Sequence, residues 1–126
     1  MNVNAEQILN AWVESVNAGD ADRVLAMYSE DATLLPTFSG RHLRGLDDIR
    51  WYFQMLGERK HVDVALREDT VVIQTLAPGI VLLCGKYDWH FAPEDTPPAV
   101  SSRFTFVVDC NAERPIQHHH SSRIPE

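Results

Sequence analysis

Only two cysteines, Cys84 and Cys110, occur in the 126 residues, and both fall in strand-like segments. That is too few for a disulfide-stapled scaffold, and no CxxC accompanies them, so two reduced, buried thiols are expected. Basic residues are also scarce: 11 Lys and Arg against 18 Asp and Glu leave a formal charge of −7. Such a chain repels nucleic-acid phosphates and anionic lipid, so neither nucleic acid nor membrane is an expected partner. Long apolar runs are missing. "GIVLLCG" is far short of the roughly 20 residues that span a bilayer. The opening "MNVNAEQILNAW" has neither the basic start nor the apolar stretch of a secretory signal. Repeats, linkers and low-complexity segments are lacking, and no motif signals a cofactor. These shortages predict one cytoplasmic domain over residues 1–126, large enough to bury a core of its own.

What is present divides into helices first and strands afterwards. Residues 4–18 read as a helix: Ile8, Leu9, Trp12, Val13 and Val16 share one 3.6-period face, Asn4 caps with Gln7, and Gly19 ends it. Asp20 then caps a short helix in which Val24, Leu25 and Tyr28 or Met27 point inward. "EDATLLPTFSG" reads as a strand entering a turn and "GRHLRG" as a brief extended piece. "GLDDIRWYFQMLGE" is a third helix, with Leu46, Ile49, Phe53 and Leu56 at helical spacing and Asp47 and Asp48 at its positive end. From position 61 the period changes to two. "HVDVALREDTVVIQT", "GIVLLCGKYDWHF", "VSSRFTFVVDC" and "RPIQHHHSSRI" are four successive strands separated by turn chemistry. Short connections favour antiparallel neighbours, so the class is α+β, with N-terminal helices packed on a curved antiparallel sheet.

"ILNAWVESVNAGDADRVLAMYSEDATLL" resembles the opening of nuclear transport factor 2-like (SnoaL-like) domains: a helix, an "NAGD" break, a second helix and a "DAT" strand. "RGLDDIRWYF", "SSRFTFVV" and the terminal "HHHSSRIP" resemble more narrowly the association (hub) domain of calcium/calmodulin-dependent protein kinase II and its stand-alone bacterial relatives. The resemblance implies a cone-shaped fold that assembles with itself as a homodimer or larger. It also implies a cavity, lined by cationic residues, that accepts small carboxylate-bearing ligands. No kinase domain is present, so phosphoryl transfer is not implied. Ser121 stands where the animal hub has an arginine, which leaves the implied cavity less positive.

The consecutive histidines 118–120 raise the question of a metal. On a strand, His118 and His120 share one side while Gln117, His119 and Ser121 share the other. Three ligands cannot converge from that arrangement, and no HExxH or CxxC supplies others, so no metal is expected. The strand instead suits a pocket wall, and the ligand-binding candidates are Arg103, Lys86, His119, Ser121 and Gln117. Arg103 offers a bidentate fork and Lys86 a point charge to a ligand carboxylate. The alternative for Lys86 and Arg103 is an exposed sheet position, paired with Asp88, Asp63 or Glu68. Tyr87, Trp89, Phe104 and Phe106 read first as core or dimer-interface residues. The strands at 79–92 and 99–109 carry aromatic and aliphatic residues on both faces, so a second copy is expected on the outer one.

Catalysis stays open. In the resembling isomerases the oxyanion-binding tyrosine would fall at Trp12 and the base at Pro36, and neither can do that proton chemistry. A dehydratase-like pair of His119 with Asp88 is the remaining catalytic candidate. The best reading is an association-domain-like protein that binds a small polar or anionic ligand. A small SnoaL-like enzyme and a purely structural assembly module are the alternatives.

Overall fold

Capping side chains and one left-handed glycine organise the first helices. The computed structural model describes residues 4–125. At the head of α1 (Ala5–Asn17) the Asn4 side chain accepts from the Gln7 amide at 2.9 Å, and Gln7 Oε1 accepts from the Asn4 amide at 3.1 Å. This reciprocal box satisfies two otherwise orphaned donors. Ile8, Leu9, Trp12 and Val16 are buried along one face, as the spacing predicts. Gly19, at φ 68°, turns the chain in the left-handed region, and Asp20 caps α2 (Ala21–Leu25) by accepting from the Arg23 amide. The sequence pattern carried α2 as far as Tyr28, but Tyr28 instead opens β1 (Tyr28–Leu35). Tertiary pairing decides this: Met27 O accepts from the Ile116 amide at 2.9 Å, which draws the chain into the sheet beside its last strand.

β2 (Leu43–Arg44) runs directly into α3 (Gly45–Gly57), which buries Ile49, Tyr52, Phe53 and Leu56. Asp48 holds its first turn by accepting from the Arg44 amide at 3.0 Å. Four long strands follow: β3 (Val62–Ala77), β4 (Ile80–Phe91), β5 (Ala99–Asp109) and β6 (Ile116–Arg123). The sheet order is β2-β1-β6-β5-β4-β3. Every pairing is antiparallel except β1 with β6. That parallel pair is reached by a crossover through α3 and four strands, the kind of long connection parallel neighbours require.

The sheet curves around α1 and α3 without closing, and its two faces differ sharply. Along β5, Val100, Ser102, Phe104, Phe106 and Val108 are buried, while the residues between them are exposed or half-buried. Along β4, Tyr87, Trp89 and Phe91 are buried, while Lys86 and His90 are exposed. All five aromatics of β4 and β5 therefore lie on the inner face, not on both faces as the sequence suggested. Trp12 of α1 completes this core, stacking on Tyr87 at 5.6 Å and meeting Phe106 edge-on at 5.3 Å. Cys84 and Cys110 are both free and half-buried. No described helix is long and apolar enough to cross a membrane.

Candidate functional site

The site is built where β6 crosses the middle of the inner face. A bulge at Gln117 sets its phase: Val108 pairs with Ile116 but Val107 pairs with His118, so Gln117 has no partner across the ladder. From there His119 and Ser121 point inward and are 2 % and 4 % exposed. His120 is exposed on the opposite face, and His118 Nδ1 bonds Thr33 Oγ1 at 2.7 Å. His119 lies flat on Phe106, with ring centroids 3.9 Å apart, and meets Trp12 edge-on.

Both ring nitrogens of His119 are engaged. Nδ1 lies 2.8 Å from Tyr28 Oη, and Nε2 lies 3.1 Å from Tyr87 Oη. Trp12 Nε1 lies 3.0 Å from Tyr28 Oη and can only donate. Tyr28 accepts from Trp12, and its own proton is assigned to His119 Nδ1, the other polar group in reach. His119 then carries its hydrogen on Nε2 and donates it to Tyr87 Oη, so the Tyr87 proton is left to point onward. The chain has one direction, from Trp12 through Tyr28 and His119 to Tyr87. At its far end stand Ser121 and Thr37, whose hydroxyls bond each other and lie beside the Tyr87 phenol.

Burial governs the charge states. It pushes the phenols of Tyr28, Tyr87 and Tyr52 well above their ordinary range, against smaller opposing effects from Trp12, from Ser121 and Thr37, and from Phe38 and Arg59 respectively. It pushes His119 well below the ordinary histidine value, helped by the neighbouring His118 and His120. The whole chain is neutral, consisting of donors and acceptors with no ionised member.

This chain ends on a small internal space of about 10 Å³, lined in part by Pro36, Thr37, Tyr52, Tyr87, Trp89 and Ser121. That is room for about one water molecule. Two buried donors among these residues, Tyr52 Oη and Trp89 Nε1, have no acceptor for their protons among the described residues, the Phe38 backbone acting on the Tyr52 phenol only as a donor. A third orphan, Ser102 Oγ, sits opposite Tyr87 in the ladder but does not line the space. No Asp, Glu, Lys or Arg lines it. Next to it the Phe38 ring packs edge-on against Trp89 at 5.5 Å and Phe91 at 5.2 Å. The Arg59 guanidinium lies over the Phe91 ring at 4.1 Å and the Phe38 ring at 5.5 Å.

The structure thus brings His119 and Ser121 together and separates the other candidates from them. Arg103 and Lys86 are not in the cone. Alternation puts them on the outer face, exposed, because Phe104 and Tyr87 take the inner positions. Gln117 turns away at its bulge and donates to Arg114 O at 3.3 Å and Pro115 O at 3.1 Å. Asp88 is also on the outer face, gripped by Arg67 Nη2 at 2.7 Å and Nε at 2.9 Å, which holds its carboxyl down to about 2. The sheet itself lies between Asp88 and His119, so the proposed dyad is not formed. Among the described residues no cluster of His, Cys, Asp and Glu could hold a metal ion.

Sequence reasoning missed Trp12, Tyr28, Tyr52, Tyr87 and Trp89 as polar participants, having read such aromatics as packing. A usable signal existed. Each carries a polar tip that must find a partner when buried, and several of them on one predicted inner face imply a polar network there.

The residues 9–116 match the family model described as SnoaL-like domain. No curated protein matches the chain. Among solved structures, one from Xanthomonas campestris described as a calcium/calmodulin-dependent protein kinase II association domain is 25% identical with TM-score 0.82, covering 96% of this chain and 86% of that one. A nuclear transport factor 2-like protein of unknown function from Shewanella oneidensis is 22% identical with TM-score 0.70, covering 93% and 94%. A protein from Streptomyces avermitilis described as a dehydratase of the same nuclear transport factor 2-like family is 11% identical with TM-score 0.80, covering 96% and 94%. The chain belongs to the SnoaL-like domain family, on the nuclear transport factor 2-like fold.

Proposed function

We propose that this chain is a small-molecule binding module whose cone interior receives a neutral, largely apolar ligand bearing one oxygen acceptor. The observation that carries the reading is the convergence of donors on one space. Tyr87 presents its phenol there beside the Ser121 and Thr37 hydroxyls, and Tyr52 Oη and Trp89 Nε1 are buried without partners. A carbonyl or ether oxygen there would accept from all three, while the rings of Trp89 and Phe53 cover the rest of the ligand. An anion is disfavoured, because an unpaired buried charge is costly and no cation lines this space. The interior as it stands holds about one water, so such a ligand enters only if the surrounding aromatic side chains move apart.

An isomerase or dehydratase reading lacks a base. His119 has both nitrogens engaged and is buried as the neutral form, and every carboxylate is kept out of the space. We also propose self-association, at a different place from the outer-face aromatics first expected. Three large apolar residues at the distal end of β3 are exposed, Val72 at 51%, Ile73 at 43% and Leu76 at 56%, on an edge strand that a second copy can cover.

Titration with benzaldehyde, cyclohexanone and benzoate, followed by tryptophan fluorescence and melting temperature, tests the ligand reading. The neutral carbonyl compounds are expected to bind saturably and benzoate not. Tyr87→Phe removes one neutral hydrogen bond and should weaken binding about tenfold. Binding of benzoate alone, or carbonyl binding indifferent to Tyr87, refutes it.

A further inference from the structure

The outer face of the sheet carries an arrangement that folding alone does not explain. Arg67, Lys86 and Arg103 stand in direct register on β3, β4 and β5, forming one row of three cations across the strands. Side chains directly opposite on neighbouring strands are about 4.5–5.5 Å apart at Cβ, and like charges there are destabilising. Arg67 is neutralised by Asp88. Among the described residues neither Lys86 nor Arg103 has an acidic partner, on a chain whose formal charge is −7. In so acidic a protein, two adjacent cations without a carboxylate are a local reversal of charge.

The surface is concave at that point. The β3–β4 ladder is interrupted between Arg67 and Val72, and the Lys86 amide donates at 2.9 Å to Thr70 Oγ1 instead of to a β3 carbonyl. Thr70 Oγ1 in turn donates to Arg67 O at 2.6 Å, which fixes the bulge. The result is a depression of about 360 Å³ whose walls include Lys86, Arg103, Thr105, His120 and Ser122. Ser122 pairs with Arg103, and His120 pairs with Thr105 in the next row, so hydroxyl and imidazole groups flank the two charges.

We propose that this depression is an oxyanion-binding site, taking the phosphoryl or carboxylate group of a small solute. Arg103 supplies a two-pronged contact, Lys86 a point charge, and the hydroxyls of Thr105 and Ser122 further donors. A bound oxyanion also removes the repulsion between the two cations. The site lies on the opposite side of the sheet from the cone, and nothing in it depends on what the cone binds.

The probes are inorganic phosphate and succinate, which separate the phosphoryl from the carboxylate source. Each is titrated into the full chain at low ionic strength and read by backbone amide shifts and calorimetry. At least one should bind saturably, with the largest shifts at Lys86, Arg103, Thr105 and Ser122. Arg103→Met and Lys86→Met should each weaken it about tenfold or more, the loss of a charge-assisted contact. Arg44→Met, which removes an outer-face cation away from the depression, should not. In buffer free of either probe Arg103→Met should melt no lower than the wild type, since it removes a repulsion. Absence of saturable binding of both ions, an equal loss in Arg44→Met, or a marked fall in melting temperature of Arg103→Met without ligand would each overturn the site.

Discussion

The neutral histidine inside the cone makes the stability of this protein depend on pH in a defined window. Burial lowers the His119 pKa well below its ordinary value of 6.5, because the imidazolium would have to exist without water or a counter-charge. In the unfolded chain the same residue titrates near its ordinary value. Below about pH 6.5 the unfolded state therefore binds a proton that the native state refuses, and stability falls as pH falls. Above that pH the contribution is fully present. The limiting slope for one such group is about 1.4 kcal/mol per pH unit. For a chain of this length that is a fall of roughly 4–6 °C in melting temperature per pH unit. His118, also lowered chiefly by partial burial, adds to the slope in the same direction. Asp88 acts elsewhere: its carboxyl is held at about 2, so its stabilisation is lost only below the ordinary carboxylate range. Urea unfolding of the wild type and His119→Gln at half-unit steps from pH 7.5 to 5 separates the effects. Glutamine keeps one donor and one acceptor between Tyr28 and Tyr87 but cannot titrate, so its curve should be flatter than the wild type by most of that slope. Parallel curves for the two proteins would show that His119 is protonated or hydrated in the native state, and the assigned hydrogen-bond direction would be wrong.

Two further outcomes follow from the same contacts. Tyr28→Phe leaves Trp12 Nε1 and His119 Nδ1 buried and unpaired, and should lower unfolding stability by about 2–4 kcal/mol in urea titrations; a loss below about 1 kcal/mol would mean the two bonds are not made. Light scattering should give about twice the mass of one chain, and the double substitution Ile73→Glu with Leu76→Glu should return it to one. A wild-type monomer at micromolar concentration, or a dimer indifferent to both charges, would remove the distal end of β3 as the contact.

How much of this was legible depends on which forces are local. The Asn4–Gln7 box, the Gly19 turn and the buried face of α1 follow from near neighbours in sequence, and they stand where the pattern put them. The strands from β3 onward follow from period-two alternation for the same reason. The end of α2 did not, because Tyr28 is claimed by pairing with Ile116, 88 positions away by subtraction of the two residue numbers. The direction of each face was the harder matter. Alternation says that Arg103 and Phe104 lie on opposite sides, but not which side is the inside. The hub resemblance placed the cation inside, and burial placed the aromatic there. Apolar area decides it: burying Phe104 and Tyr87 stabilises by a few kcal/mol, while burying Arg103 and Lys86 unpaired would oppose folding by more. The same weighing, made on the sequence, would have favoured the outer face for both cations.

That division of the sheet also bears on why we propose ligand binding for the interior in place of base catalysis. A cone that abstracts a proton needs one ionised or ionisable base at its wall, with a pKa near the working pH. Here the inner positions that could carry one hold Trp12, Pro36 and Tyr87, and the one titratable candidate is fixed between two phenols. Moving a carboxylate inward would require another inner strand position to give up an aromatic, with its packing against Trp12. The relay does the reverse of what a base needs. With the assigned tautomer each donor in it commits the next, so that the Tyr87 proton is directed toward Ser121, Thr37 and the small space and His119 has no free lone pair to offer. A site built only of neutral donors stabilises an oxygen that is already there. Among its lining residues no carboxylate offers a free base, so proton abstraction there would require His119 to leave Tyr28 or Tyr87. Tyr28, wholly buried and bonded on both sides, gives it no room to do so.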